Sequence, residues 1–100
     1  MASQYPEQSA DYGALQSVID DLFESREEEA QITGEEVDEE GVQVRRLDVV
    51  LAAQAADLPE DLQKVVSLLP PGNYSRQRLC IQLNSAITGH GWGMKYGTVI

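Results

Sequence analysis

The 100-residue sequence contains one cysteine, one histidine, one tryptophan and one phenylalanine. A lone Cys80 excludes an intramolecular disulfide framework, and with His90 as the single imidazole the common Cys/His zinc sites are excluded too. Basic residues are scarce. Seven stand against seventeen acids, a formal charge of −10, so the molecule as a whole repels nucleic acid and anionic membrane surfaces. Long apolar runs are missing: nothing approaches the roughly 18 residues of a membrane span, and the first residues lack the basic and apolar regions of a secretory leader. The expectation is a cytoplasmic chain with no membrane contact. A chain of 100 residues suffices for one small domain and excludes a two-domain enzyme. No internal repeat with a period of about 20–50 residues is legible, and no heptad pattern is sustained.

What the sequence does have is a lopsided charge layout. Positions 1–40 hold thirteen of the acids and one base, Arg26, for a local charge of −12. Positions 41–100 hold four acids against six bases, for +2. Adaptation to high salt would spread acids over every exposed face, so concentration at one end asks for its own cause: solvation, or a surface that meets a basic partner.

The apolar periodicity predicts a mainly α-helical fold, a single small domain of four helices. Residues 1–8 carry no periodicity and include Pro6, which reads as a disordered lead-in; the domain proper spans 9–100. Ser9 or Asp11 is suited to cap a first helix whose stripe is Tyr12, Leu15, Val18, Ile19, Leu22 and Phe23 and which runs to about Ala30. Its last turns carry Glu27, Glu28 and Glu29, which oppose the helix dipole and predict fraying unless cations reach them. Residues 31–41 read as an exposed acidic loop. A second helix is expected over about 46–56 with Leu47, Val50 and Leu51 on its stripe. A third starts at Pro59, where the missing amide is harmless and Glu60 and Asp61 favour the dipole, and stops at Pro70-Pro71-Gly72. Ser75 caps a fourth that ends at Gly89. Residues near 42–45 and 95–99 favour β-structure and are expected to pair as a two-stranded ribbon. The candidate core is Leu15, Ile19, Leu22, Phe23, Val50, Leu51, Leu62, Val66, Leu69, Leu79, Leu83 and Ile87.

Chemistry-bearing constellations are few. His90 sits among glycines and Cys80 on an apolar stripe, with no orienting third group, which argues against an enzyme; no catalytic residue, metal site or cofactor is assigned. The segment Gly34 to Gly41 lacks the alternating ligand positions of a calcium loop. Arg76 and Arg78 follow the Ser75 cap, where free amides attract anions; with Lys95 they form the alternative anion-binding set, against a plainer role in ion pairs with Asp57, Glu60 or the acidic segment. Residues 59–87 resemble a helix-turn-helix in outline, which implies direct contact with DNA through Arg76, Gln77, Asn84 and Lys95.

The function expected first is a non-enzymatic acidic interaction module. Its partner-binding set is Asp20, Asp21, Glu24, Glu27, Glu28, Glu29, Glu35, Glu36, Asp38, Glu39 and Glu40, carboxylates spaced along a helix and loop as a mimic of a nucleic-acid backbone, with Trp92 as an interface anchor. In size and composition the chain is similar to small acidic phage proteins that block restriction or CRISPR enzymes, a likeness that implies an inhibitor of a DNA- or RNA-handling protein with a basic surface. The alternative is a small helix-turn-helix regulator with an acidic arm. Homo-oligomerisation is left open by the sequence.

Overall fold

The computed structural model describes residues 9–100; the lead-in expected over 1–8 lies outside the described residues. The elements are α1 (Ala14–Thr33), β1 (Gln43–Arg45), α2 (Arg46–Ala55), α3 (Glu60–Ser67), β2 (Asn73–Ser75), α4 (Arg76–Gly89) and a single turn α5 (Gly93–Tyr96). The four helices read from the sequence are present in order, gathered in one small helical domain with a two-stranded antiparallel ribbon.

Several details depart from expectation for local reasons. Helix α1 is capped by Gly13 in the left-handed region (φ 84°), not by Ser9 or Asp11; the Ser9 hydroxyl instead accepts from the Asp11 amide in the turn before it. At the other end α1 continues three residues past Ala30 without fraying, because Gly34 closes it at φ 73° and the Gly34 and Glu35 amides both donate to Ala30 O. The acidic loop therefore begins at Gly34. Ser75 caps α4 as expected, its hydroxyl accepting from the Arg78 amide at 3.3 Å.

The ribbon pairs β1 with β2 and not with the tail: Gln43 faces Ser75, Val44 faces Tyr74 and Arg45 faces Asn73. Residues 95–99 have other commitments. Lys95 and Tyr96 belong to α5, and the following segment is held by side-chain amides. Asn84 Nδ2 donates to Val99 O (2.8 Å) while the Val99 amide donates to Asn84 Oδ1 (2.7 Å); Gln16 does the same for Ile100, at 3.0 and 2.8 Å. Val99 is thereby buried against the helices.

The pairing also reveals a repeat with an offset of thirty residues, since Val44 meets Tyr74 at the centre of the register. Each strand runs directly into a helix, β1 into α2 and β2 into α4, so positions thirty residues apart correspond in the two strand–helix arms. Equivalent positions share burial: Val49 with Leu79 and Ala53 with Leu83 inside, Leu51 with Ile81 outside. Arg46 and Arg76 share a task. Each opens its helix and reaches across to main-chain oxygens, Arg46 to Leu69 O and Ser67 O, Arg76 to Ile100 O. Between 43–55 and 73–85 this arginine is the one identical residue, which is why no repeat is legible in the sequence.

The core follows the expected stripes on α1, α3 and α4, with Leu15, Ile19, Leu62, Leu79, Leu83 and Ile87 almost fully enclosed, except that Tyr12 lies in the turn before α1 and is half exposed. Helix α2 is rotated relative to expectation. Val49 and Ala53 face inward, Val50 is half-buried, and Leu47 and Leu51 are each 52% exposed. Leu22 is half-buried at the edge of α1, not central.

Candidate functional site

Along α1 the 3.6-residue period places Asp20, Asp21, Glu24, Glu27 and Glu28 opposite the buried stripe, in axial steps of about 4.5–6 Å for residues three and four apart. All five are exposed, as are Glu29, Glu35, Glu36, Asp38, Glu39 and Glu40. The loop after α1 is not loose chain. Asp38 makes a local turn, its carboxylate accepting from the Glu40 amide (3.0 Å) and its carbonyl from the Gly41 amide (3.1 Å).

Arg26 ties this loop to the helix. Its Nη2 donates to Glu35 at 2.7 Å and its Nε to Gln43 O at 3.1 Å, so one guanidinium grips both the start and the end of the segment that carries Glu36 to Glu40. Its Nη1 lies 3.2 Å from Glu29 Oε1 without hydrogen-bond alignment and has no other polar partner among the described residues. The Glu35 carboxylate pushes the Arg26 guanidinium above its usual range, so this cation is permanent.

Of the eleven proposed partner-binding carboxylates, Glu29 and Glu35 thus share the single charge of Arg26, and Asp20 is paired with Arg76 across fifty-six residues of chain. The Arg76 hydrogen bond, followed by that from Gln16, holds the Asp20 carboxyl below its ordinary range. Asp21, Glu24, Glu27, Glu28, Glu36, Asp38, Glu39 and Glu40 have no ion-pair partner among the described residues.

Between the C-terminal half of α1, this loop, β1 and α2 lies an open cleft of about 790 Å³, whose wall includes Leu22, Arg26, Glu35, Asp38, Asp48 and Leu51. Asp48 caps α2 from inside it: the carboxylate accepts from the Arg45 guanidinium (3.1 Å) and amide (2.9 Å), which hold it below the usual aspartate range. Gln43 O and the Arg45 amide point away from β2, as the Arg46 amide bond to Gly72 O on the other side implies, and both are occupied by side chains of Arg26 and Asp48. The outer edge of β1 is therefore covered against strand addition.

The alternative anion-binding residues are not gathered at one place by their contacts. Arg76 is bound to Asp20 and Ile100 O, with its guanidinium carbon 5.9 Å from the centre of the Phe23 ring. Lys95 sits 3.5 Å from Asp61, whose carboxyl is lowered first by the Tyr96 hydroxyl donating at 2.7 Å. Arg78 is exposed on α4 with no ion pair among the described residues. The short connection typical of a helix-turn-helix occurs between α2 and α3, over residues 56–59, while α3 and α4 are separated by eight residues that include β2. The second helix of that closer pair opens with Glu60 and Asp61, the wrong sign for phosphate.

Trp92 is half-buried against the core, stacked on His90 (ring centres 4.4 Å apart) and edge-on to Tyr96 at 6.1 Å. Cys80 and His90 lie ten residues apart on and just beyond α4, about 15 Å along its axis. Burial pushes the Cys80 thiol up, away from the thiolate. Among the described residues there is no group of three or more metal-ligating side chains, and no helix long and apolar enough to cross a membrane.

Sequence reasoning identified the acids but not their organiser. Arg26 stands in the sequence as the one base in an acidic run, and its grip on Gln43 O depends on a strand seventeen residues away. Compared with models of protein families, with curated proteins and with solved structures, the chain matches none.

Proposed function

We propose that this protein is a non-enzymatic interaction module that presents the outer face of α1 and the pinned acidic loop to a basic surface, most concretely the nucleic-acid-binding surface of a DNA- or RNA-handling protein, which it inhibits by occupying it. One observation carries this reading. Eight carboxylates are exposed without a counterion among the described residues, on a helix of about 30 Å and a loop that Arg26 holds beside it. The backbone that carries this array is already held in place, so the ordering cost of binding falls on the side chains alone, and the array gains fast, electrostatically steered encounter with a basic groove.

The helix-turn-helix alternative needs Arg76 on a phosphate, where it would have to leave both Asp20 and Ile100 O. The acidic reading uses side chains that have no ion pair to give up among the described residues.

The test is inhibition of cleavage by a panel of restriction endonucleases and Cas nucleases. The unmodified protein is expected to inhibit at least one member, with potency falling as salt rises. A variant with Glu24, Glu27, Glu28, Glu36, Glu39 and Glu40 changed to glutamine and Asp21 and Asp38 to asparagine is expected to lose that inhibition while keeping its helical circular dichroism. Equal inhibition by that variant, or a shift of duplex DNA by the protein that Arg76→Glu with Arg78→Glu abolishes, overturns the reading.

A further inference from the structure

The cleft beside Arg26 differs from the rest of the acidic surface in having an apolar component. Leu51 is 52% exposed and Val37 45% exposed, both on its wall, and half-buried Leu22 lies beside them. Leu47, also 52% exposed, stands one turn from Leu51 on the same face of α2 and carries the apolar strip about 6 Å beyond the cleft. A helix buried on one side has no structural use for two outward leucines four residues apart. Around them the charge is negative: Glu36 and Asp38 line the same cleft without ion-pair partners among the described residues, while Arg26 and Arg45 are spent on Glu29, Glu35 and Asp48.

We infer that this cleft and the Leu47–Leu51 strip are the docking groove for a basic amphipathic helix of the partner, with leucine-sized side chains seated on Leu51, Leu22 and Val37 and flanking arginines on Glu36 and Asp38. The inference rests on the acidic reading above and specifies what the partner must present. Charge complementarity selects a basic occupant. The strip extends beyond a single side chain, so the occupant is a segment of chain. The covered edge of β1, where Arg26 and Asp48 already hold Gln43 O and the Arg45 amide, rules out an added strand and leaves a helix, which binds through side chains alone.

The experiment uses the full chain and three fluorescent peptides of about 15 residues, at about 150 mM salt. The first is an arginine-leucine-alanine helix with leucines at positions three and four apart. The second has the same composition scrambled, and the third is oligoarginine. The amphipathic peptide is expected to bind at least tenfold more tightly than the other two, and Leu51→Gln, at an exposed position that leaves the fold intact, is expected to weaken it about tenfold. Its footprint in amide chemical shifts is expected at Leu22, Val37, Leu47 and Leu51. Equal binding of all three peptides, an unchanged affinity for Leu51→Gln, or no binding of the amphipathic peptide overturns the groove. Leu51→Gln leaves every carboxylate in place, so its effect on peptide binding reports on the groove, whereas the nuclease assay of the unmodified protein reports on the acidic reading, and failure of the one is distinguishable from failure of the other.

Discussion

Replacing Asn84 with alanine strips both hydrogen bonds from one main-chain residue. Asn84 satisfies the amide and the carbonyl of Val99 together, at 2.7 and 2.8 Å, and Val99 is only 2% exposed. A net ~0.5–1.5 kcal/mol per bond sums to about 1–3 kcal/mol for the pair while the tail stays seated. The expected destabilisation is therefore about 1–3 kcal/mol, read from urea unfolding by Trp92 fluorescence. Asn84→Asp adds a pH signature. The carboxylate still accepts from the Val99 amide, but its second oxygen now faces Val99 O, so the ionised form is disfavoured and the folded-state pKa rises. Stability of that variant is therefore close to the parent's below the unfolded aspartate value of about 3.9 and is lost as pH rises through the raised value. An Asn84→Ala protein within about 0.5 kcal/mol of the parent, with the Val99 amide still protected from exchange, would refute the reasoning.

Three further outcomes follow from other contacts. Gly97 adopts φ 84° and ψ 155°, a region open essentially to glycine, and an added Cβ would meet the Tyr12 ring at 3.2 Å; Gly97→Ala is expected to cost about 1–3 kcal/mol in thermal or urea unfolding, and a neutral result would contradict the backbone geometry. Arg26→Ala is expected to raise amide exchange over residues 34–43 while the α4 amides keep their protection; unchanged exchange in the loop would show that Arg26 does not hold it. Asp20, Asp48 and Asp61 all have lowered folded-state values, so their contribution to stability is complete above pH ~3.9 and drains away as pH falls below it. Asp48→Asn is expected to flatten the decline between pH ~4 and ~2, and an identical acid profile for that variant would exclude Asp48 from it.

Much of the fold was legible because its signals are local. Pro59 with Glu60 and Asp61 starts α3, Pro70-Pro71-Gly72 ends it, and Ser75 caps α4; each acts within one turn of chain. The phase of α2 was not legible, since Val49, Val50 and Leu51 are consecutive and apolar and fit two different faces equally well. Packing against α1 and α3 chose Val49. The ribbon partner was missed because Asn73–Ser75 is too short to show alternation, whereas the β-favouring tail residues advertise a strand that Asn84 and Gln16 supply by side chain instead. For the candidate surface, exposure of the acids could be read from helical spacing. Which of them are already spent could not, because Asp20 meets Arg76 only once α1 and α4 have come together.

Among the described residues the eight unspent carboxylates cover no core and hold no other residue in place, apart from the local turn at Asp38. Exchanges at positions of that kind ordinarily alter stability by no more than about 0.5 kcal/mol. Framework and outward pattern are consequently uncoupled: the helices, ribbon and clamped tail would survive almost any redrafting of that outer layer. On the proposed reading, a lineage facing a changing target could rewrite this outer layer residue by residue, with folding placing almost no veto on the choice.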